Sequence, residues 1–88
     1  MKILLVGSGG REHAIADALS RENTTIELIA APGNPGIAEY ARTLPIAVTE
    51  LELLAEVAKT ENVDLVVVGP EAPLADGIVD LFRHRGIP

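Results

Sequence analysis

The sequence has no cysteine and almost no aromatic side chains. Its 88 residues include one Tyr, one Phe and no Trp. A chain without cysteine forms neither disulfides nor thiolate metal sites, and one with so few aromatic rings offers no platform on which single-stranded bases could stack. The core must be built from aliphatic side chains, which suits a parallel sheet covered by helices on both faces.

Basic charge and long apolar runs are also scarce. Lys and Arg number 7 against 13 Asp and Glu, for a net charge of −6, so no basic stripe is available to meet a nucleic-acid backbone. No apolar run approaches the ~20 residues that a membrane-spanning helix needs, and the first residues run into a strand without a signal peptide. We therefore expect one small cytoplasmic domain over residues 1–88, with neither nucleic acid nor a membrane as partner.

Strand-like and helix-like segments alternate along the chain. The predicted strands cover residues 2–7, 25–31, 44–47 and 64–69, and the predicted helices cover 10–22, 50–61 and 74–85. This alternation indicates an α/β fold with an open, Rossmann-like parallel sheet, right-handed crossovers and strand order 3-2-1-4. In that order a crevice opens at the carboxyl ends of the first and fourth strands.

The helix boundaries carry their own signals. Thr49 and Glu52 have the spacing of a capping box for the second helix, and Gly86 suits the position just past the end of the last helix. The first helix is expected to bury its apolar side chains, Ala14, Ile15, Ala18 and Leu19.

A glycine turn follows the first strand, and residues 7–13 read Gly-Ser-Gly-Gly-Arg-Glu-His. Such a strand–turn–helix junction directs free N–H groups and the positive end of the helix dipole at an anion. The dinucleotide motif G-x-G-x-x-G would need glycine in place of Glu12, and the second strand lacks the terminal acid that holds a ribose. The P-loop motif is absent as well. A single phosphate monoester fits the turn better.

The predicted phosphate site consists of Gly9, Gly10, Arg11 and Glu12. The glycines allow close approach of the backbone, the N–H groups of the turn donate to phosphate oxygens, and Arg11 adds a charged donor. Both charged residues also have a plainer interpretation: Arg11 as a solvated side chain, and Glu12 as a first-turn acid worth ~0.3–1 kcal/mol to the helix. His13 and His84 are predicted to be structural.

Two further loops leave the carboxyl ends of strands. Glu71, held between Pro70 and Pro73, is predicted to accept hydrogen bonds from two ribose hydroxyls; alternatively it is an N-terminal acid for the next helix. Gly33 and Asn34 form a third wall of the crevice, unless Asn34 only stabilises a turn. The sequence assembles no catalytic triad, metal cluster or acid–base pair of carboxylates, so we predict binding without catalytic or metal-ligating residues.

Three segments together resemble the N-terminal domain of the phosphoribosylamine–glycine ligases (glycinamide ribonucleotide synthetases), a family of the ATP-grasp superfamily. The segments are Val6-Gly7-Ser8-Gly9-Gly10-Arg11-Glu12-His13-Ala14, Ala31-Pro32-Gly33-Asn34-Pro35-Gly36 and Val68-Gly69-Pro70-Glu71-Ala72-Pro73-Leu74. The resemblance implies that the chain is the pre-ATP-grasp domain of a purine-synthesis enzyme. That enzyme is expected to activate glycine as an acyl phosphate and to couple it to 5-phosphoribosylamine, which gives glycinamide ribonucleotide. It also implies that residues 9–12 hold the phosphate and Glu71 the ribose.

By the same resemblance, ATP and Mg²⁺ or Mn²⁺ belong to later ATP-grasp domains, and this domain alone is expected to bind neither and to be inactive. Gly86-Ile87-Pro88 looks like the approach to a fifth strand, so the chain is expected to be part of a longer enzyme. A missing fifth strand would leave residues 65–68 as an open apolar edge and favour a homo-oligomer. The alternatives are a stand-alone sugar-phosphate or nucleotide binding module, and a piece that folds but binds nothing measurable.

Overall fold

The computed structural model describes residues 1–22, 25–69 and 77–87. The strands are β1 (Lys2–Gly7), β2 (Glu27–Pro32), β3 (Arg42–Thr43) and β4 (Leu65–Val68). The helices are α1 (Gly10–Glu22), α2 (Leu51–Thr60) and α3 (Ile78–His84), with a 3₁₀ helix over Ile37–Glu39. The predicted site residues Pro70 and Glu71, and the predicted first turn of the last helix, lie outside the described residues.

The four strands form one parallel sheet in the order β3-β2-β1-β4, which confirms the predicted α/β topology. β1 is central: Leu4 lies opposite Ile29 of β2 on one side and opposite Val66 of β4 on the other. Because the sheet is covered on both faces, the β1 side chains from Leu4 to Val6 are fully buried.

Successive β1 side chains enter two different cores, since side chains alternate across a strand. Leu4 and Val6 pack in a cluster with buried residues of α2 and α3, including Leu54 and Phe82. Ile3 and Leu5 pack on the opposite face, in a cluster with buried residues of α1, β2 and the 3₁₀ helix: Ala16, Leu28, Ala30 and Ile37. The sheet is therefore a middle layer between helices, and its carboxyl edge carries the loops of the predicted site.

The predicted inner face of α1 was wrong in part. Ala14 and Ala18 are exposed, whereas Ala16 is fully buried and Ile15 and Leu19 are partly buried. The prediction assumed that only apolar side chains face the sheet. Glu12 is itself buried, and because residues four apart share a helix face, its burial turns Ala16 toward the sheet.

The third strand also differs from its prediction over residues 44–47. β3 is Arg42–Thr43, paired with Ile29 and Ala30 of β2. Leu44 and Ile46 pack against the core from the segment that follows β3. These two side chains are therefore apolar because they are buried, although they do not belong to a strand. Periodicity alone does not distinguish such a buried segment from a strand. The other predicted strands were correct to within two residues at each end.

Of the two predicted helix-end signals, one was wrong and one was correct. The capping box was wrong, because α2 begins after Glu50 and has no side-chain cap hydrogen bond. Gly86, by contrast, lies just past α3 with φ +71°. Its N–H donates to Arg83 O and the N–H of Ile87 donates to Phe82 O, the Schellman pattern that closes a helix.

Candidate functional site

Three loops meet around the end of β1. The N–H of Gly69, directly after β4, donates to Val6 O at 3.1 Å, and the N–H of Gly33, directly after β2, donates to Gly7 O at 3.0 Å. The carboxyl ends of three neighbouring strands are thereby joined through backbone hydrogen bonds. The glycine turn therefore lies between the first residues of the other two loops at the carboxyl edge of the sheet.

The side chain of Glu12 lies inside this junction. The residue is 5% exposed, and its Oε2 accepts a hydrogen bond of 2.9 Å from the N–H of Gly9. A Cβ on Gly7 would lie 2.4 Å from Glu12 Cγ, and one on Gly69 would lie 1.7 Å from Glu12 Oε1. Glycine at both positions therefore provides the space for this carboxylate, which was not evident from the sequence.

The first turn of α1 has backbone N–H groups for which the described residues provide no acceptor. The N–H of His13 donates to Gly9 O at 3.1 Å, which makes Gly9 the residue that caps the helix. The N–H groups of residues 10–12 precede that bond and so have no acceptor within the helix. A Cβ on Gly10 would meet nothing within 4 Å, so there is open space beside these donors.

Arg11 reaches across the crevice. Its Nη1 donates to Gly69 O at 3.3 Å, so the side chain joins the first turn of α1 to the loop after β4. The predicted alternative of a freely solvated side chain is thus incomplete: the residue is exposed, but its guanidinium has a backbone partner. This contact leaves a positive group at the mouth of the crevice.

Asn34 connects the loop after β2 to the glycine turn. Its Nδ2 donates to Ser8 O at 2.7 Å, and its Oδ1 accepts from the N–H of Ile37 at 2.8 Å. The preceding Gly33 has φ +73°, and a Cβ there would lie 2.7 Å from Thr43 Cγ2. Asn34 therefore stabilises the turn at the start of the 3₁₀ helix, one of its two predicted roles, and it also fixes the position of Ser8.

A histidine–tyrosine pair lies beside this wall. The ring centroids of His13 and Tyr40 are 5.9 Å apart, and a Cβ on Gly36 would lie 3.1 Å from His13 Nε2. A hydrogen bond with Asp17, followed by the charge of that carboxylate, raises the pKa of the Tyr40 hydroxyl. The sequence did not single out Tyr40, because an isolated tyrosine after a loop carries no motif.

The described residues contain no group of His, Asp and Glu side chains that would hold a metal ion. Over the same residues, no helix has the length and apolar character needed to cross a membrane. The arrangement of turn, Arg11 and loop walls can bind an anion, whereas no nucleophile or proton-transfer pair has been brought together by the residues described.

Comparison with known proteins agrees with the motifs. Residues 1–88 match the family described as "Phosphoribosylglycinamide synthetase, N domain". The chain is similar to the phosphoribosylamine–glycine ligases of Ralstonia nicotianae, at 52% identity over 87 residues, and of Caldanaerobacter subterraneus subsp. tengcongensis, at 47% over 87 residues. Each alignment covers 99% of this chain and 21% of the relative. The chain thus spans about a fifth of the length of these curated relatives.

Proposed function

Since the chain belongs to the phosphoribosylglycinamide synthetase N-domain family, we propose that it is the substrate-binding N-terminal part of a phosphoribosylamine–glycine ligase. The observation that carries the proposal is the family match over all of residues 1–88, together with the curated relatives that bear this name. The proposed reaction joins glycine to 5-phosphoribosylamine and gives glycinamide ribonucleotide, a step of purine synthesis in the cytoplasm.

In the proposed reaction the glycine carboxylate attacks the γ-phosphorus of ATP, and ADP leaves. The amine of phosphoribosylamine then attacks the carbonyl carbon of the resulting acyl phosphate, and inorganic phosphate leaves. ATP and its Mg²⁺ or Mn²⁺ ions are assigned in this proposal to an ATP-grasp portion of the longer enzyme. The role of the present chain is to hold the phosphoribosyl group.

The geometry of the glycine turn supports this role. The free N–H groups of residues 10–12 and the positive end of the α1 dipole suit the dianionic phosphate of the sugar, and Arg11 lies at the same mouth. The loop after β4 begins at Gly69, next to the turn, and continues to Glu71. Our proposal keeps Glu71 as the acceptor for the ribose hydroxyls.

A chimera tests the function directly. The matching residues of the Ralstonia nicotianae ligase are replaced by this chain, and the formation of glycinamide ribonucleotide from glycine, ATP and phosphoribosylamine is measured. We expect an active enzyme. A chimera that folds, binds ATP and forms no product would contradict the proposal.

A charge variant of the same chimera locates the phosphate. Gly10→Asp places a carboxylate beside the free N–H groups, and an acid is well tolerated in a first helical turn, so the fold is retained. The KM for phosphoribosylamine should rise by about tenfold or more, whereas Ala18→Asp, an exposed position two turns along α1, should leave it unchanged. If the two variants had equal KM values, the phosphate of the substrate would not bind at the glycine turn.

We also propose that the isolated chain self-associates through β4. One edge of β4 pairs with β1, and its other edge pairs with no strand among the described residues. Val66 and Val68 of β4 and Phe82 of α3 line a cavity of about 290 Å³ on the face of the sheet that α3 covers. An open apolar edge of this kind favours pairing with a second chain.

A further inference from the structure

The glycine turn already contains an anion of the protein itself, and this suggests a role for Glu12 in selectivity. We propose that Glu12 is a specificity-determining residue whose carboxylate occupies the floor of the turn and so prevents a pyrophosphate from binding there. A phosphate monoester would still bind at the outer N–H groups of residues 10–12. The monoester part rests on the proposed function, whereas the exclusion of pyrophosphate is tested independently of it.

The contacts of Glu12 support this role. Its Oε2 takes the N–H of Gly9 at 2.9 Å, the donor that an incoming phosphate would need in order to bind deep in the turn. The junction has no room for a second group, because even one carbon added to Gly7 or Gly69 would collide with the Glu12 side chain. A deep anion would therefore have to displace the carboxylate.

The charge of Glu12 is not compensated locally by an ion pair. Among the described residues no salt bridge involves Glu12, and Arg11 gives its hydrogen bond to the carbonyl of Gly69 instead. A burial of 95% also keeps the carboxylate away from water that would screen it. A second phosphate group pushed toward Gly9 would meet this charge at close range.

The position of Glu12 in the sequence relates this turn to dinucleotide-binding turns. It stands where a dinucleotide-binding turn has its third glycine, the residue that allows the helix to approach the strand closely. Here the Glu12 side chain itself occupies the space between the ends of β1 and β4. The turn therefore keeps the strand–turn–helix geometry of a dinucleotide site but has lost the donor and the space that a pyrophosphate requires.

The test uses the chain as it is and two variants, Glu12→Gln and Glu12→Ala. Binding of inorganic pyrophosphate and of ribose 5-phosphate is measured by amide chemical shifts and calorimetry, after circular dichroism has shown that each variant is folded. The Kd for pyrophosphate should fall by about tenfold or more on removal of the charge, with new shifts at the Gly9 amide. The Kd for ribose 5-phosphate should fall by a clearly smaller factor, because its single phosphate binds at the outer N–H groups of residues 10–12, farther from the carboxylate. Asp17→Asn, which removes an acid from the second turn of the same helix, is the matched control and should bind pyrophosphate as the wild type does.

Each result has a distinct consequence. If pyrophosphate affinity is the same in the wild type and in every folded variant, or is absent from all of them, the inference on Glu12 is overturned. The same holds if Asp17→Asn gains as much as Glu12→Gln, since the effect is then one of net charge. A gain in pyrophosphate binding on loss of Glu12, without binding of ribose 5-phosphate by any form, supports the inference and counts against the proposed phosphoribosyl site.

Discussion

At the scale of single residues, Gly69 is the position where the site depends most on the absence of a side chain. A Cβ there would lie 1.7 Å from Glu12 Oε1. We expect Gly69→Ala to lower the free energy of unfolding by about 1–3 kcal/mol, the usual cost of overpacking a buried site. Urea denaturation measures the change.

Gly10→Ala is the matched control for this prediction. A Cβ on Gly10 meets nothing within 4 Å, and alanine is favoured over glycine in a helix. The stability of Gly10→Ala should therefore equal or exceed that of the wild type. If the two alanine variants had the same stability, the tight contact between Gly69 and Glu12 would be wrong.

Asn34 gives a second prediction at this scale. Asn34→Ala loses the hydrogen bonds to Ser8 O and from the N–H of Ile37, which should lower the free energy of unfolding by about 1–3 kcal/mol. Asn34→Asp keeps the acceptor for Ile37 but places a carboxylate against the carbonyl of Ser8. It should also destabilise the chain, and an Asn34→Asp variant as stable as the wild type would contradict the bond to Ser8.

The sequence could identify the glycine turn, but not the side chain that fills it. Gly9 and Gly10 were expected from a motif of known geometry, and Asn34 from its preference for turns. The burial of Glu12 depends on Gly69, which lies 57 positions further along the chain, and no local pattern connects the two residues. Long-range contacts of this kind cannot be predicted from local sequence patterns.

At the scale of elements, an ion-pair cluster joins the ends of three segments. Glu61, just past α2, accepts a hydrogen bond from Arg42 of β3 at 2.6 Å and lies 3.5 Å from Nζ of Lys2 of β1. The bond from Arg42 lowers the pKa of Glu61, although partial burial opposes the shift. The ionised carboxylate thus favours the folded state.

This cluster predicts a pH dependence of stability. Because the pKa of Glu61 is lower in the folded chain than its ordinary value of 4.5, its contribution is complete above that value and is lost as the pH falls through the folded-state pKa. Urea denaturation at neutral and acid pH should show a smaller acid-induced loss of stability for Glu61→Gln than for the wild type. Glu56→Gln, at an exposed position of α2, should retain the wild-type loss, and equal curves for the two variants would rule out this role for Glu61.

The elements themselves were predictable to different degrees. β1 and α1 match their predicted bounds, because a buried apolar run and a long amphipathic segment are strong local signals. β3 has only two residues, and its position is set by pairing with Ile29 and Ala30, which the local sequence does not encode. The capping box failed for a related reason: Thr49 and Glu52 have the right spacing, but the chain enters α2 at Glu50.

At the scale of the whole molecule, the open edge of β4 leads to a prediction about mass. Sedimentation of the isolated chain should show a weight-average mass that rises with concentration from 9.3 kDa toward twice that value. Leu65→Lys should shift the chain to monomer, because a lysine on an edge strand opposes pairing between edges. Leu65 is 42% exposed and leaves the core intact when replaced.

Leu53 provides the control for this experiment, since it is 46% exposed but lies on α2. Leu53→Lys should self-associate as the wild type does. A wild type that remains monomeric at high concentration, or two lysine variants that behave alike, would exclude association through β4.

The overall topology was predictable because few arrangements satisfy the rules for parallel sheets. The alternation of strands and helices, with right-handed crossovers, left order 3-2-1-4 as the natural choice, and the structure has that order. The family was predictable from three motifs in fixed order, whereas Pro70 and Glu71, which we propose to lie at the ribose, are outside the described ranges.

The central position of β1 has a consequence for the newly made chain. β1 precedes the other three strands along the sequence, yet it pairs on both sides, with β2 and with β4. At a synthesis rate of roughly 5–20 residues per second, its apolar segment waits about 3–12 seconds after leaving the ribosome before Leu65 follows it. During that interval the strand most deeply buried in the finished fold is exposed on at least one edge.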